Sequence, residues 1–234
     1  MAESSAERLD LAVRSGVFAG ESLDQITRRL VGRLEFADFG PLSVKQLALA
    51  GGELTKVANN QISTIVRTSV NQVTDQASQA VYAANKKIAP KYEYVATLDS
   101  RTSAICRRLD GQEFEYNKGP TPPQHFNCRS TTVPVVDFDG LQKKYPTLQK
   151  PPENKNLTRP TGEGTGRVPQ GTAYGDWLLT QNRNLQIKTL GSERKVRLFK
   201  KIAKKEGSGQ KAIRAMIRED GSERTLEQLQ RIYT

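Results

Sequence analysis

Tyr92-Glu93-Tyr94-Val95-Ala96-Thr97-Leu98 is the stretch on which the fold class turns. Its aromatic and β-branched residues predict a strand. It follows directly on a segment of a different period. Leu54, Val57, Ala58, Ile62, Ile65, Val66, Val70, Val73, Ala77, Ala80, Val81 and Ala84 recur at steps of three and four. From about 53 to 87 neither Gly nor Pro interrupts them, which predicts one long amphipathic helix. Pro90 closes it, with Lys86 and Lys87 placed in its last turn. A long helix running into a strand-bearing segment predicts an α+β protein.

Downstream of the first strand, Phe114-Glu115-Tyr116 is a second short candidate. Thr131-Thr132-Val133-Pro134-Val135-Val136 is a third, demoted to a sheet edge by its proline. A short helical piece near 101–109 lies between the first two, and Asp110-Gly111 marks its end. Upstream, Ser22 and Gln25 read as a capping box, followed by Ile26, Leu30 and Leu34 at helical spacing. A shorter apolar piece at 43–50 precedes Gly51-Gly52. The helix at 53–87 carries an amide-rich polar face with Asn59, Asn60, Gln61, Asn71, Gln72, Gln76 and Gln79. Such a face suits either solvent or a protein neighbour with few buried charges.

Beyond residue 140 the texture changes again. Residues 141–173 hold Pro146, Pro151, Pro152, Pro160 and Pro169 with Gly162, Gly164, Gly166 and Gly171, and predict an extended linker. Helical signals return with Tyr174, Trp177 and Leu178, then Val196, Leu198, Phe199 and Ile202, then Ala212, Ile213, Met216 and Ile217. Thr225-Leu226-Glu227-Gln228-Leu229 predicts a capping box on a terminal helix. Four parts follow: a helical region at 1–93, a small β-containing Cys/His module at 94–140, a Pro/Gly linker at 141–173 and a basic helical region at 174–234.

Hydrophobic residues make up 36% of the 234 residues, and mean hydropathy is −0.61, which predicts a surface-rich molecule. No apolar run approaches the ~20 residues of a membrane span, and the polar, acidic start does not read as a secretory leader. The expectation is a soluble protein made in a cytoplasm. Net charge is +11, and residues 141–234 carry all of it, with 20 Lys+Arg against 9 Asp+Glu. A single-sign block of this kind favours an anionic partner, with nucleic acid the first candidate, or serves as a solubilising tail.

The chain has two cysteines and one histidine, and all three fall between 106 and 128: Cys106, His125 and Cys128. Gathered soft donors point to zinc. Zinc commonly takes four ligands, and Asp99 is the best-placed acid for the fourth, with Asp110 behind it. Pro122-Pro123 would stiffen the loop that delivers His125. Three other readings stand beside the metal: inert buried thiols, a Cys106–Cys128 disulfide, and a Cys/His nucleophilic dyad. Arg129, Arg101, Arg107 and Arg108 flank these positions. They anchor carboxylates or backbone carbonyls across the module, or they are surface charge, the reading preferred for Arg107 and Arg108.

Asp99-Ser100-Arg101-Thr102-Ser103-Ala104-Ile105-Cys106-Arg107-Arg108-Leu109-Asp110-Gly111, followed by Pro122-Pro123-Gln124-His125-Phe126-Asn127-Cys128-Arg129-Ser130, resembles the motif of the phage Mu F-like head morphogenesis family. Ile65-Val66-Arg67-Thr68 resembles that family's Arg-Thr motif, although Ser69 stands where members often have Glu. Gly171-Thr172-Ala173-Tyr174-Gly175-Asp176-Trp177-Leu178, with Leu190-Gly191-Ser192-Glu193-Arg194 and Thr225–Leu229, is similar to C-terminal extensions of such proteins. The resemblance is expected to cover about residues 10–234. It implies a non-enzymatic minor capsid protein in the virion interior, partnered with portal and major capsid proteins; the charge of the basic C-terminal region adds packaged DNA as an expected partner. The rivals are a zinc-containing nucleic-acid-binding protein and a Cys/His hydrolase.

Overall fold

The structure, a computed structural model, describes residues 5–23, 25, 26, 29, 52–149, 157–162 and 166–233. Leu30, Leu34 and the apolar piece at 43–50 lie outside the described residues. The chain divides into two compact units, one comprising Met1–Ala77 with His125–Cys128, the other Ser78–Gln124 with Arg129–Thr234.

In the first unit, α1 (Ser5–Phe18) and the first part of α2 (Gly52–Ala84) share a small core of Ala12, Val13, Ile26 and Val66, with Val17 and Val70 packed against it. The capping box forms as expected: Ser22 N–H donates to Gln25 Oε1 at 2.7 Å, and Gln25 N–H donates to Ser22 Oγ at 3.3 Å. The 3.6-residue period carried the reading of α2, a single helix of 33 residues. It stops slightly short of the expected end. Lys86 and Lys87 sit in the turn that follows.

The second unit takes in the end of α2 from Ser78 and then a three-stranded antiparallel sheet in the order β2-β1-β3. β1 (Lys91–Val95) is central, with β2 (Gln112–Glu115) and β3 (Thr131–Val135) at the edges. Pro134 is therefore accommodated where no further strand needs its missing N–H. Alternation puts Tyr92 and Tyr94 on one face, and both are completely buried. Tyr92 packs beside Phe114 and Tyr116, with ring centroids 5.8 Å away in each case. Between β1 and β2 runs α3 (Ala104–Leu109), capped by Ser103, whose Oγ accepts from Cys106 N–H. Gly111, at φ +70°, turns the chain out of α3 into β2, a conformation a side chain would strain.

After β3 come α4 (Phe138–Lys144) and a hairpin of β4 (Thr158–Pro160) and β5 (Arg167–Pro169). Part of the expected linker is thus a built element. Residues beyond it form α5 (Tyr174–Thr180), α6 (Arg183–Leu190), α7 (Glu193–Glu206), α8 (Gly209–Met216) and α9 (Leu226–Tyr233). Trp177, Phe199, Ile202, Ile213 and Leu229 meet in one core that also takes in Leu98 from the strand segment. Burying such large apolar side chains contributes about 1.5–3 kcal/mol each. Residues 174–233, read from the sequence as a basic region beyond a linker, share one compact unit with the sheet. The α5 and α8 backbones touch at two glycines. A Cβ on Gly175 would lie 2.2 Å from Gly209 O, and one on Gly209 would lie 2.3 Å from Gly175 O.

Candidate functional site

Asp99 and Asp110 bracket α3, and both are fully buried. A buried carboxylate is tolerated only when paired and hydrogen-bonded, and each finds an arginine from far along the chain. Arg129 Nη1 donates to Asp99 Oδ2 at 2.5 Å and Nη2 to Oδ1 at 2.9 Å. Arg101 N–H and Thr102 Oγ1–H each donate to Asp99 Oδ1 at 3.0 Å. Burial alone would raise the Asp99 pKa; the hydrogen bonds and charge of Arg129, with those from Thr102 and Arg101, outweigh it and hold the carboxyl below its ordinary value.

Asp110 is a junction. Its Oδ1 accepts from Ala96 N–H at 2.7 Å, and its Oδ2 accepts from Tyr174 N–H at 2.7 Å. Arg159, from β4, donates to both oxygens at 3.1 and 3.3 Å, and also to the carbonyls of Ala96 and Thr172. One side chain thereby ties the exit of β1, the hairpin and the start of α5. Gln210 adds a second tie: its Oε1 accepts from Gly175 N–H, and its Nε2 donates to Arg107 O and Asp110 O.

Arg107 and Arg108 are not the surface charges expected of them. Arg107 is buried, donating to Thr189 O at 3.0 Å and pairing with Glu223 at 3.3 Å. Arg108 Nη1 donates to Arg214 O and Ile217 O at 2.8 and 2.9 Å. These carbonyls end helical segments, where guanidinium donors satisfy groups the helix leaves open.

In the unit containing α1, the His125–Cys128 loop is pinned to α2. Thr68 Oγ1 accepts from Asn127 N–H at 3.0 Å, Thr64 Oγ1 accepts from Asn127 Nδ2 at 3.3 Å, and Asn71 Nδ2 donates to Cys128 O at 2.8 Å. Thr64, Thr68 and Asn71 stand at helical spacing on one side of α2. The polar helix face is thus partly used inside the chain. The Arg-Thr motif acquires a physical role through Thr68, one that spacing alone did not reveal. His125 Nδ1 lies 2.8 Å from Phe126 O. If Nδ1 donates there, the lone pair resides on Nε2.

Cys106 and Cys128 are both buried thiols, with no disulfide between them. Tyr94 Oη lies 3.2 Å from Cys106 Sγ. The donor atoms of Cys106, His125 and Cys128 all lie within 4.8 Å of one another, a group suited to a metal ion. Asp99, the fourth residue nominated from the sequence, is engaged by Arg129 and is not part of that group.

Among known proteins, residues 7–133 match the model of the family described as phage Mu protein F like protein. The match ends inside β3, short of the C-terminal reach expected from the sequence. A relative in Haemophilus influenzae, itself an uncharacterized protein, is 31% identical over 97 residues, 40% of this chain and 21% of that protein. The chain therefore aligns with about a fifth of that relative's length. No solved structure matches. Among the described residues, no helix is long and apolar enough to cross a membrane. With more than half of its length matched, and with the motif residues Asp99, Asp110 and Arg129 organising its fold, the chain belongs to the phage Mu F-like family of head morphogenesis proteins.

Proposed function

We propose that this chain is a minor head protein. It is held between the portal protein and the inner face of the major capsid protein, and it acts in assembly as a structural part. The family match over residues 7–133 carries this reading. The use made of the motif residues supports it. Asp99, Asp110, Arg107, Arg108 and Arg129 all bond other groups of the same chain. Side chains spent in that way hold a shape. The protein resides in the virion interior, and in the host cytoplasm while heads are built, without an enzymatic role.

Zinc is the ion that the donors of Cys106, His125 and Cys128 would suit, since thiolate and imidazole are its usual partners. Bound there, it would supply cross-linking energy to a small module. Three donors leave a tetrahedral ion one position short. Because Asp99 is occupied by Arg129, that position falls to another side chain or to solvent. The basic C-terminal region is the part that would face packaged DNA.

The test is genetic and physical. Phage carrying a nonsense mutation in this chain is grown with and without suppression. Its heads are purified, and protein content is read by mass spectrometry with portal cross-linking. The expected result is the chain in wild-type heads, cross-links to portal or major capsid protein, and defective heads without it. Normal heads from the nonsense mutant, or purified heads lacking the chain, would overturn the reading.

A further inference from the structure

Every exposed residue of α7 is cationic: Arg194, Arg197, Lys200, Lys201, Lys204 and Lys205. Val196, Phe199, Ile202 and Ala203 take the opposite, buried side. The two sets divide the helix cleanly. Arg197 and Lys201, Lys200 and Lys204, and Lys201 and Lys205 stand four residues apart, so like charges crowd one another and work against the helix. Acidic neighbours do little to relieve them. Arg197 lies 3.9 Å from Glu193, an acid that Arg183 holds more closely. Lys205 lies over the Tyr233 ring. Among the described residues, Arg194, Lys200, Lys201 and Lys204 form no ion pair.

From these observations we infer that the outer side of α7 is a phosphate-tracking surface for double-stranded nucleic acid, bound without regard to sequence. The inference rests on the minor-head-protein reading only for where such a duplex would be met; the surface itself does not depend on it. Two arguments favour a duplex over an acidic protein. Protein interfaces are depleted of Lys and anchored by aromatic or other apolar groups at their centre, and this surface has four lysines and no exposed apolar residue. Its length also fits. From Arg194 to Lys204 the helix rises about 15 Å, and a duplex strand carries a phosphate about every 3.4 Å along its axis, so about four phosphates come within reach. Four neutralised phosphates give a slope of log affinity on log salt of about −4, with weak, non-specific affinity.

The experiment uses the full-length chain and a 30-base-pair duplex of arbitrary sequence, followed by fluorescence anisotropy between 50 and 300 mM salt. The test variant is R194Q/R197Q/K201Q/K204Q. All four sites are exposed, and glutamine is a good helix former. The control, K86Q/K87Q/K143Q/K144Q, removes the same number of charges from other exposed positions. Circular dichroism verifies folding of both. The expected result is at least a tenfold loss of affinity and a slope shallower by about three to four for the α7 variant, with the control within twofold of wild type. Equal losses in the two variants would reduce the effect to net charge and overturn the inference. So would the absence of duplex binding at 50 mM salt, or equal binding of a poly-glutamate chain, which would assign the surface to an acidic protein. None of these outcomes bears on incorporation into heads, so the two readings fail separately.

Discussion

Arg129 sets both of its terminal nitrogens on the carboxylate of Asp99, at 2.5 and 2.9 Å, across thirty residues of chain. The pair joins the residue that follows Leu98 to the residue two positions before β3. It fastens the two ends of the segment carrying Cys106. A fork-shaped guanidinium meets a planar carboxylate with two parallel hydrogen bonds, so neither lysine at 129 nor the longer glutamate at 99 reproduces the fit.

Removing the arginine strands a buried charge. Arg129→Gln is expected to cost about 2 to 4 kcal/mol, the lower part of the range because Arg129 is itself partly exposed. The double variant D99N/R129Q should cost less than the sum of the two single changes. Chemical denaturation of all four proteins measures this; strictly additive losses would show that the two groups are energetically independent.

The same pair sets a pH dependence. The Asp99 pKa is lowered in the folded chain, so its contribution is present above the unfolded value, near pH 4, and is lost as pH falls through the folded value. Arg129→Gln leaves burial opposed only by the Thr102 and Arg101 hydrogen bonds and should move the acid-unfolding midpoint upward. Glu93 has the opposite sign. Burial, then the charge of Asp110 and of Glu113 against that of Arg159, raises its pKa. It therefore loses stability as pH rises from about 4.5 through the folded value. Glu93→Gln should raise the melting temperature at pH 7 and flatten the profile between pH 4.5 and neutrality. Melting curves that keep the wild-type shape would contradict this.

Zinc should be measurable in the purified chain. Elemental analysis is expected to give close to one equivalent, and C106S, H125A and C128S should each lower it. Cobalt substitution should give the absorption bands of thiolate ligation, and a chelator should lower the melting temperature of the wild type but not of C106S. Metal-free protein with an unchanged melting temperature would favour inert thiols.

The loop anchor on α2 is a smaller effect with a clear location. Thr68→Val keeps the shape and deletes the acceptor for Asn127 N–H, at a cost of about 1 kcal/mol. Hydrogen exchange should speed up at Asn127 more than in β1. Unchanged protection at Asn127 would show that the loop is held by other contacts.

Gly175→Ala and Gly209→Ala address the C-terminal helices. Each added methyl would lie against the backbone of the other glycine, which cannot swing aside as a side chain can, so either change should cost about 3 kcal/mol, at the upper end of overpacking. Loss of near-ultraviolet dichroism from Trp177 is the readout. A variant with native dichroism and stability would mean that the two helices separate freely.

Much of this was legible in the sequence. Period alone gave α2, aromatic and β-branched content gave β1, and Pro134 announced an edge. The scarcity of sulfur and imidazole singled out Cys106, His125 and Cys128. Harder to read were the residues whose role comes from a distant partner. Asp110 looked like a turn marker because Gly111 follows it, yet its carboxylate waits for Arg159, 49 residues on. Arg107 and Arg108 looked like surface charge because nothing local reveals the helix ends they reach. Arg159 sat unnoticed in a Pro/Gly-rich stretch, since composition reports stiffness and not the companion a side chain will find.

The Asp110 junction has a practical corollary. The stretch shared with the family ends at residue 133, whereas Arg159 and the Tyr174 amide come from beyond it. Trimming the polypeptide to the shared stretch would leave Asp110 without its guanidinium partner and peel the helical cover from Leu98. Such a fragment would expose apolar surface and be poorly folded. Within the second unit, the part that lies in the shared stretch and the part beyond it fold together.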